Sequence, residues 1–272
     1  MSTNPVVIIT GANKGIGYHT AKFLISSSKP YTVILTSRSL DRAQAAIKTL
    51  SEIDSVKKGL ENGSVIVPVT LDITKAESVA ALRKEVEEKY GRVDALLNNA
   101  GIHQDFNVTA GKTSKRDAFF ESYDTNVVST HFITEAFIPL LFKSSSPRLI
   151  FVSTGLASLQ EHENPNYPPN QAPAAGWPKT DPYNNTTYRI TKSAENMMAR
   201  EWYRILKNDP IKVHIIEPGW VATELGGGDP KIMASFGAIG PDIPGEFFAK
   251  VVAGERDADE GKFLDKDGIY PW

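Results

Sequence analysis

The 272-residue chain contains no cysteine. Disulfide bonds, thiolate metal ligands and a cysteine nucleophile are therefore excluded, and we expect a reducing compartment, the cytoplasm. The formal net charge is only −2, which leaves no basic surface for nucleic acid or an anionic membrane. No apolar run reaches the length of a membrane span, and we expect no secretory signal. The histidines lack metal-ligand spacing, so we expect no metal site.

Short apolar runs alternate with amphipathic segments along the chain, which is 41% hydrophobic and 23% charged. This alternation predicts an α/β fold: a doubly wound parallel sheet of about seven strands with helices on both faces, in three layers (α/β/α). The apolar runs lack strict alternation, as expected of strands buried on both sides. We predict a single domain over residues 1–272. The predicted strands are Val6–Thr10, Thr32–Thr36, Ser64–Thr70, Ala95–Asn98, Arg148–Ser153, Val213–Glu217 and Lys262–Leu264, and the predicted helices are Ile16–Ser27, Asp41–Ile53, Lys75–Tyr90, Asp117–Leu141 and Tyr183–Leu206.

Two segments interrupt this alternation. Residues 160–182 contain six prolines and one tryptophan and predict a long irregular loop. Residues 224–245 are rich in glycine and proline, carry apolar side chains such as Ile232 and Phe236, and predict a mobile lid over a substrate. Long irregular segments inside a compact domain are usually functional or disordered.

A glycine-rich segment, Gly11–Gly17, follows the first predicted strand and opens the first predicted helix. Its glycines let the backbone turn tightly and approach the pyrophosphate of a dinucleotide at the helix amino terminus. The spacing is Gly-x-x-x-Gly-x-Gly, not the commoner Gly-x-Gly-x-x-Gly. The alternative is a glycine-rich turn that binds no ligand.

The second predicted strand is followed by Ser37 and Arg38, where an NAD-binding protein usually places an acidic residue for the ribose 2′-hydroxyl. A guanidinium can pair with a phosphate through two hydrogen bonds, and Lys14 in the glycine segment adds a second cation. A carboxylate here would repel a 2′-phosphate. These residues therefore favour NADP(H) over NAD(H), the alternative being that Arg38 is a solvated charge.

Tyr188 and Lys192 are four residues apart in a predicted helix and share one of its faces. A phenol ionises near pH ~10, and a neighbouring ammonium favours its ionised form. Such a pair predicts a tyrosine that exchanges protons with a substrate. By itself the spacing is common, and an exposed helix face is the alternative interpretation.

Together with these residues, further motifs make the chain resemble the short-chain dehydrogenase/reductase family, in its compact, carbonyl-reductase-like form. The motifs occur in the family's order at Thr10–Gly17, Asp72, Asn98–Gly101, Asn126, Ser153, Tyr188/Lys192 and Pro218–Gly219. The resemblance implies a Rossmann-like fold. It also implies a cofactor site built from Gly11, Asn13, Lys14, Gly15, Ile16, Gly17, Ser37, Arg38, Asp72, Ile73, Asn99, Ala100, Gly101, Tyr188, Lys192, Pro218, Gly219, Val221 and Thr223.

The same resemblance implies that Asn126, Ser153, Tyr188 and Lys192 are catalytic. Tyr188 would donate a proton to a carbonyl oxygen as the nicotinamide delivers hydride to the carbon. Lys192 would lower the pKa of Tyr188 and hold the ribose, Ser153 would hydrogen-bond the substrate oxygen, and Asn126 would anchor a water linked to Lys192. The expected activity is NADPH-dependent reduction of a ketone or aldehyde. Oxidation of an alcohol at the same site and a non-catalytic NADP-binding module are the alternatives.

Ser153 and Tyr188 are 35 residues apart because the 160–182 segment lies between them. Carbonyl-reductase-like relatives have an insertion here that covers the helix face on which other members dimerise, so the resemblance implies a monomer. The aromatic loop and apolar lid favour a small-molecule carbonyl or alcohol substrate of medium size and partly hydrophobic character. Candidate borders of the substrate pocket are Tyr167, Trp177, Trp220 and His103. For the first three, packing of the loop onto the core is an equally supported interpretation.

Overall fold

The computed structural model describes residues 3–179 and 184–272, and within these ranges seven strands form one parallel sheet. The strands are β1 Val6–Ile9, β2 Thr32–Ser37, β3 Val65–Thr70, β4 Ala95–Asn98, β5 Arg148–Val152, β6 Lys212–Ile216 and β7 Phe263–Leu264. Their order is β3-β2-β1-β4-β5-β6-β7, and every neighbouring pair is parallel. The chain therefore winds outward from β1 in one direction and from β4 in the other. The predicted doubly wound parallel sheet is confirmed.

Helices cover both faces of this sheet and complete three layers. Successive side chains of a strand point to opposite faces. In β1, Val7 and Ile9 therefore join one buried cluster while Val6 and Ile8 join the other. The helices are α1 Gly15–Ile25, α2 Leu40–Ser51, α3 Asp54–Glu61, α4 Ala76–Tyr90, α5 Asp105–Thr109, α6 Lys115–Tyr123, α7 Thr130–Leu141, α8 Leu159–His162, α9 Thr186–Leu206, α10 Pro230–Ser235 and α11 Asp242–Ala253. The first cluster contains α1, α2 and α11, and the second contains α4, α7 and α9.

The helix α3 lies in a segment for which the sequence predicted none. Its side chains are mostly polar, and only Val56 and Gly59 are buried. A Cβ atom on Gly59 would lie 1.7 Å from the carbonyl oxygen of Ile25, so α3 packs backbone to backbone against the end of α1. This close contact, which no periodic pattern reveals, holds a short polar helix in place.

The helix predicted over Asp117–Leu141 is divided in the structure. A π-helical turn at Asp124–Ser129 separates α6 from α7. An inserted π turn shifts the side chains that follow it and often occurs at functional sites. Here the turn carries Asn126, whose side chain is fully buried.

Both irregular segments contain some regular structure. The first contains most of α8 and a 3₁₀ turn at Pro168–Asn170, and the second contains α10. A bridge joins Val221, just before the second segment, to Ile239 within it. Residues 180–182 of the predicted loop and the predicted helix start at Tyr183 lie outside the described residues. No helix within the described ranges has both the length and the apolar character needed to cross a bilayer.

Candidate active site

A cleft of about 620 Å³ lies beyond the carboxyl ends of the central strands. In doubly wound sheets, ligands bind at this edge, where the winding direction reverses. Most residues of the predicted site line the cleft, whereas Gly17, Asn126, Gly219 and Val221 do not. The predicted residues that line it are Gly11, Asn13, Lys14, Gly15, Ile16, Ser37, Arg38, Asp72, Ile73, Asn99, Ala100, Gly101, Ser153, Tyr188, Lys192, Pro218 and Thr223.

The glycine segment forms the floor of the cleft at the amino end of α1. Gly11 and Gly15 have φ angles of 63° and 61°, which side chains rarely tolerate. Gly17 lies behind the lining, where a Cβ atom would come within 2.7 Å of Asn99 Nδ2. That amide donates to the carbonyl oxygens of Thr10 and Gly11 at 2.8 and 3.1 Å. The glycines therefore leave room for Asn99, at the end of β4, to hydrogen-bond the loop before α1, and the amino end of that helix stays open to the cleft.

Positive side chains surround the end of the cleft next to β2. Arg38 follows β2 and is exposed, whereas Ser37 is buried at the strand end. Arg42, in the first turn of α2, also lines the cleft, and the sequence interpretation missed it. Its four-residue spacing from Arg38 at a helix start was the available signal. Lys14 Nζ lies 2.6 Å from Glu224 Oε2, an ion pair between the glycine segment and the predicted lid.

The carboxylate of Asp72 is held by its own loop after β3. Its Oδ1 accepts hydrogen bonds from the backbone N–H and the hydroxyl of Thr74 at 3.0 and 2.7 Å. The backbone N–H of Asp72 donates to Ser78 Oγ at 3.0 Å. This turn presents Asp72 and Ile73 to the cleft in a fixed conformation.

Tyr188 and Lys192 lie in the first two turns of α9 and are both buried. Burial raises the pKa of Tyr188, and Glu195 and Glu217 raise it further, whereas Lys192 lowers it. Lys192 therefore acts in the expected direction, but burial has the larger effect and the net pKa of Tyr188 is raised. Burying an ionisable phenol disfavours its anion more than one cation favours it here.

The ammonium of Lys192 donates hydrogen bonds to two groups of the protein. Nζ donates to the Val152 carbonyl oxygen at 2.9 Å and to Glu195 Oε2 at 2.6 Å. Burial lowers the pKa of Lys192, but the charges of Glu195 and Tyr188 outweigh it, so the net pKa is raised. Burial also raises the pKa of Glu195 to about 7, against the effect of Lys192. The sequence interpretation missed Glu195, although it lies three residues after Lys192 on the same helix face.

Ser153 follows β5, and its hydroxyl is buried beside α9. Oγ donates to Asn196 Oδ1 at 2.5 Å. Asn196 is itself buried, two turns after Tyr188. This contact joins residues 43 positions apart and fixes the direction of the serine side chain.

Asn126 is tied to the segment after β4 and to α9. Its Oδ1 accepts from the Ile102 backbone N–H at 2.8 Å, while Nδ2 donates to the Ile102 carbonyl at 2.9 Å and to Thr191 Oγ1 at 3.2 Å. A Cβ atom on Gly101 would lie 3.3 Å from Asn126 Oδ1 and 3.5 Å from Lys192 Nζ. The glycine therefore allows the amide and the ammonium to approach each other.

His103 and Asp105 support the tyrosine from behind. The imidazole of His103 stacks on the Tyr188 ring, with centroids 4.3 Å apart and an interplanar angle of 22°. Its Nε2 lies 3.4 Å from Asp105 Oδ2. The two oxygens of Asp105 accept from the backbone N–H groups of Thr187 and Tyr188 at 3.1 and 2.9 Å. His103 does not line the cleft, and Asp105 was not foreseen because it lies 82 residues from the helix it caps.

The segment after β6 closes the other side of the cleft. Pro218 and Thr223 line it, and Gly219 has a φ angle of 86°. Glu217 is buried and accepts from the backbone N–H groups of Gly155 and Gly219 at 3.0 and 2.5 Å, which joins the ends of β5 and β6. The carboxylate was not foreseen, since only its burial distinguishes it from a surface residue.

The three candidate aromatic walls do not line the described cleft. Trp177 and Trp220 are 86% and 53% exposed, and Tyr167 is half-buried. Among the described residues, no group of three or more His, Asp or Glu side chains is arranged to hold a metal ion.

Comparison with known proteins identifies relatives across the whole chain. A family model described as short chain dehydrogenase matches residues 5–171. The chain is 39% identical to the short-chain dehydrogenase/reductase eupG of Phoma sp over 98% of this chain and 97% of that protein. It is 36% identical to the short-chain dehydrogenase/reductase tropE of Talaromyces stipitatus over 98% and 97%.

Solved structures share the fold. An NADPH-bound carbonyl reductase from chicken fatty liver superimposes with a TM-score of 0.76 at 26% identity, covering 99% of both chains. A 3-oxoacyl-[acyl-carrier protein] reductase from Brucella melitensis in complex with NAD has a TM-score of 0.73 at 18% identity, covering 97% of this chain and 96% of that one. The second likeness concerns the fold alone.

Proposed function

Because this chain belongs to the short-chain dehydrogenase/reductase family of oxidoreductases, we propose that it reduces a ketone or an aldehyde to an alcohol with NADPH. The observation that carries the proposal is a single cleft with two chemically different ends. Arg38 and Arg42 line one end, and Ser153, Tyr188 and Lys192 line the other. A dinucleotide lying along it would have its 2′-phosphate among cations and its nicotinamide beside a proton donor.

The glycine segment supports the fit of the cofactor. Gly11 and Gly15 adopt positive φ angles and line the cleft at the amino end of α1, so no side chain blocks the approach of a pyrophosphate. Unpaired backbone N–H groups and the helix dipole favour an anion there. When bound, the nicotinamide would supply the hydride.

The cations beside β2 support NADPH over NADH. Arg38 and Arg42 are exposed guanidinium groups, and the neighbouring strand-end side chain is the hydroxyl of Ser37. Two guanidinium groups suit a phosphate dianion, and no carboxylate replaces them at the end of β2 to bind a ribose 2′-hydroxyl. Lys14 would join them once it leaves Glu224.

The proposed chemistry at the other end uses four side chains. Tyr188 donates its phenolic proton to the developing alkoxide. Ser153 donates to the same oxygen once its hydroxyl proton has turned away from Asn196 Oδ1. Lys192 directs its third N–H to the ribose, since Val152 and Glu195 occupy two. A water anchored by Asn126 connects Lys192 to solvent when it replaces the Val152 carbonyl as the acceptor of one N–H. The raised pKa of Tyr188 supports reduction over oxidation, because a protonated phenol is the form that donates.

We propose one domain over residues 1–272, with residues 160–182 as an insertion and 224–245 as a substrate lid. In α10, Ile232 and Phe236 beside it are 57% and 75% exposed, which supports a lid that covers a partly hydrophobic substrate. Pro230, the first residue of α10, lines the cleft, so closing this helix over a ligand would remove its apolar side chains from water.

We also propose that the protein is a monomer. The insertion contacts the start of α9, where Arg189 donates to Asn170 Oδ1 at 2.9 Å and to the Pro169 carbonyl at 2.7 Å. It does not cover the whole helix, since Ile190 and Met197 are 46% and 62% exposed. Sedimentation at micromolar concentration decides the matter, and a stable dimer or tetramer would overturn the monomer.

The test of the activity is NADPH consumption with a panel of ketones and aldehydes. Tyr188→Phe should abolish turnover while leaving cofactor binding detectable by quenching of protein fluorescence. Tyr203→Phe is the matched control, because Tyr203 is a partly exposed tyrosine on the same helix. Full turnover by Tyr188→Phe, or no reduction of any carbonyl by the folded protein, would refute the proposal.

The test of cofactor choice is Arg38→Asp. It should weaken NADPH binding by at least about tenfold and NADH binding much less, because only NADPH carries the 2′-phosphate. Lys48→Asp makes the same charge change at the opposite, exposed end of α2 and should affect neither. Equal losses for both cofactors in Arg38→Asp would contradict the assignment.

A further inference from the structure

A buried carboxylate lies next to the proposed catalytic lysine. Glu195 is 2% exposed, in the second turn after Tyr188 on α9. Its Oε2 lies 2.6 Å from Lys192 Nζ. Carboxylates are seldom buried this deeply unless they are paired, and the proposed reaction assigns Glu195 no step.

Several charged or ionisable groups face the Tyr188 phenol. Lys192 and Glu195 come from its own helix, and Glu217 comes from the segment after β6. The segment after β4 contributes the stacked imidazole of His103 and, at the Tyr188 backbone N–H, the carboxylate of Asp105. Among these groups Lys192 is the cation that favours the phenolate, so whatever neutralises it favours the phenol.

We propose that Glu195 is a positioning residue that neutralises Lys192 and keeps Tyr188 protonated, which biases the site towards carbonyl reduction. This inference deepens the proposed function and rests on it for the direction of the reaction. The coupling between the two side chains is independent of any substrate.

The physical reason is the field at the phenol. An isolated buried ammonium would stabilise a phenolate strongly, because the protein interior screens charge poorly. A carboxylate 2.6 Å from the ammonium turns that charge into a dipole whose field falls off faster with distance. Glu195 accordingly raises the pKa of Tyr188 while Lys192 lowers it, in a site where burial has the largest effect.

The effect of Glu195 depends on its own ionisation. Burial raises the pKa of Glu195 to about 7. Below that pH the carboxyl is neutral and Lys192 acts on Tyr188 alone. Above it the carboxylate opposes Lys192, so the phenol keeps its proton into the alkaline range. The electrostatic effect on the Tyr188 phenol should therefore differ between the wild type and a variant with a neutral residue 195 above about pH 7, and should become the same below it.

The ion pair also restrains the ammonium. Two N–H groups of Lys192 are fixed by the Val152 carbonyl at 2.9 Å and by Glu195 at 2.6 Å. The third N–H is therefore the one left to bind the ribose of the cofactor. Without Glu195, the ammonium would retain one backbone acceptor. A loss of ribose contact would then appear as a rise in the cofactor Kd.

The test is a spectroscopic titration of Tyr188 in the protein without cofactor. The ultraviolet absorbance of its phenolate is the difference between each protein and its Tyr188→Phe counterpart. In Glu195→Gln the midpoint should fall by about one pH unit or more, the usual size of the effect of a nearby charge. Glu195→Asp keeps the charge and should remain near the wild type. Glu201→Gln, which removes a surface carboxylate paired with Arg204 on the same helix, should leave the midpoint unchanged.

Identical titrations in wild type and Glu195→Gln would overturn the inference. The inference would also be overturned if Tyr188 ionised neither in the wild type nor in Glu195→Gln before the protein unfolds at alkaline pH, because burial alone would then keep the phenol protonated. If Glu195→Gln does not fold, Glu195→Leu provides a second neutral side chain of similar size.

A second readout is the pH profile of kcat in both directions. In Glu195→Gln the limb of alcohol oxidation that requires the phenolate should move to lower pH, and the falling limb of carbonyl reduction should move with it. A shifted titration with no activity towards any carbonyl would leave the coupling intact and refute the proposed function. Activity with unshifted limbs and midpoints would refute the role of Glu195 alone.

Discussion

The amino end of α9, which carries Tyr188, is held by a carboxylate from another part of the chain. Asp105 Oδ1 accepts from the Thr187 N–H at 3.1 Å and Oδ2 from the Tyr188 N–H at 2.9 Å. The residue preceding the helix, Asn185, provides no side-chain cap. Asp105 is 3% exposed, so water does not replace it. We expect Asp105→Asn to destabilise the protein and to loosen Tyr188.

The magnitude follows from what the substitution removes. Asparagine keeps the shape and one acceptor oxygen but loses the charge and the second acceptor. A hydrogen bond to a charged group is worth about 1.5–3 kcal/mol, and a helix cap about 1 kcal/mol. Part of this remains with the amide, so the free energy of unfolding should fall by about 1–3 kcal/mol near neutral pH.

The pH dependence gives the prediction its sign. Burial raises the pKa of Asp105, but the nearby His103 and the hydrogen bonds from the backbone N–H groups of Tyr188 and Thr187 outweigh it and hold the pKa below its usual value. A lowered carboxyl pKa contributes stability that is present above the unfolded-state value, near ~3.9, and is lost as pH falls through the folded-state value. The gap between wild type and Asp105→Asn should therefore narrow below about pH 4.

The assay is urea unfolding followed by circular dichroism at pH 7 and at acid pH. Asp229→Asn is the control, because Asp229 also caps a helix, α10, through Oδ1 at 2.8 Å from the Lys231 N–H, but it is exposed and precedes that helix directly. Its cost should be smaller. The reasoning would be refuted if Asp105→Asn had the same free energy of unfolding as the wild type at pH 7. It would also be refuted if the difference between the two proteins did not change with pH.

Two further perturbations test the cofactor end of the cleft. Gly17→Ala would place a Cβ atom 2.7 Å from Asn99 Nδ2, so it should weaken NADPH binding and lower the Tm. As the control, Gly268→Ala meets no atom within 4 Å and should change neither quantity. Unaltered NADPH binding by Gly17→Ala would contradict the close packing. Glu224→Gln should release Lys14 from its 2.6 Å ion pair and tighten NADPH binding a few-fold at low salt. The gain should disappear at high salt and be absent for NADH, and a weaker affinity for NADPH would show that Glu224 assists binding.

Much of the fold could be predicted because local patterns specify it. Apolar runs without alternation mark strands buried on both sides, and the run at Ala95–Asn98 has the same bounds in the structure as in the sequence interpretation. The glycine segment could be placed in the cleft because the carboxyl end of a central strand is where such turns bind ligands. The α3 helix could not be predicted, since it depends on the contact of Gly59 with Ile25.

Most residues of the predicted site line the cleft, but the side chains that surround them could not be predicted. The four-residue spacing places Tyr188 and Lys192 on one helix face, and both line the cleft. The roles of Asn126 and Ser153 remain predictions, although their buried positions are compatible with them. The partners of these side chains, among them Asn196, were not identified from the sequence.

The sequence by itself determined the order of the seven strands, the glycine-rich turn after the first of them and the placement of Tyr188 and Lys192 on one helix face. Each of these depends on residues that are close along the chain, where backbone geometry alone sets which side chains meet. Only the tertiary structure decided that Asp105 caps α9 and that burial outweighs Lys192 at the phenol. Burial and long-range pairing arise when distant segments pack together, and the strength of every charge in the site depends on how much water that packing excludes.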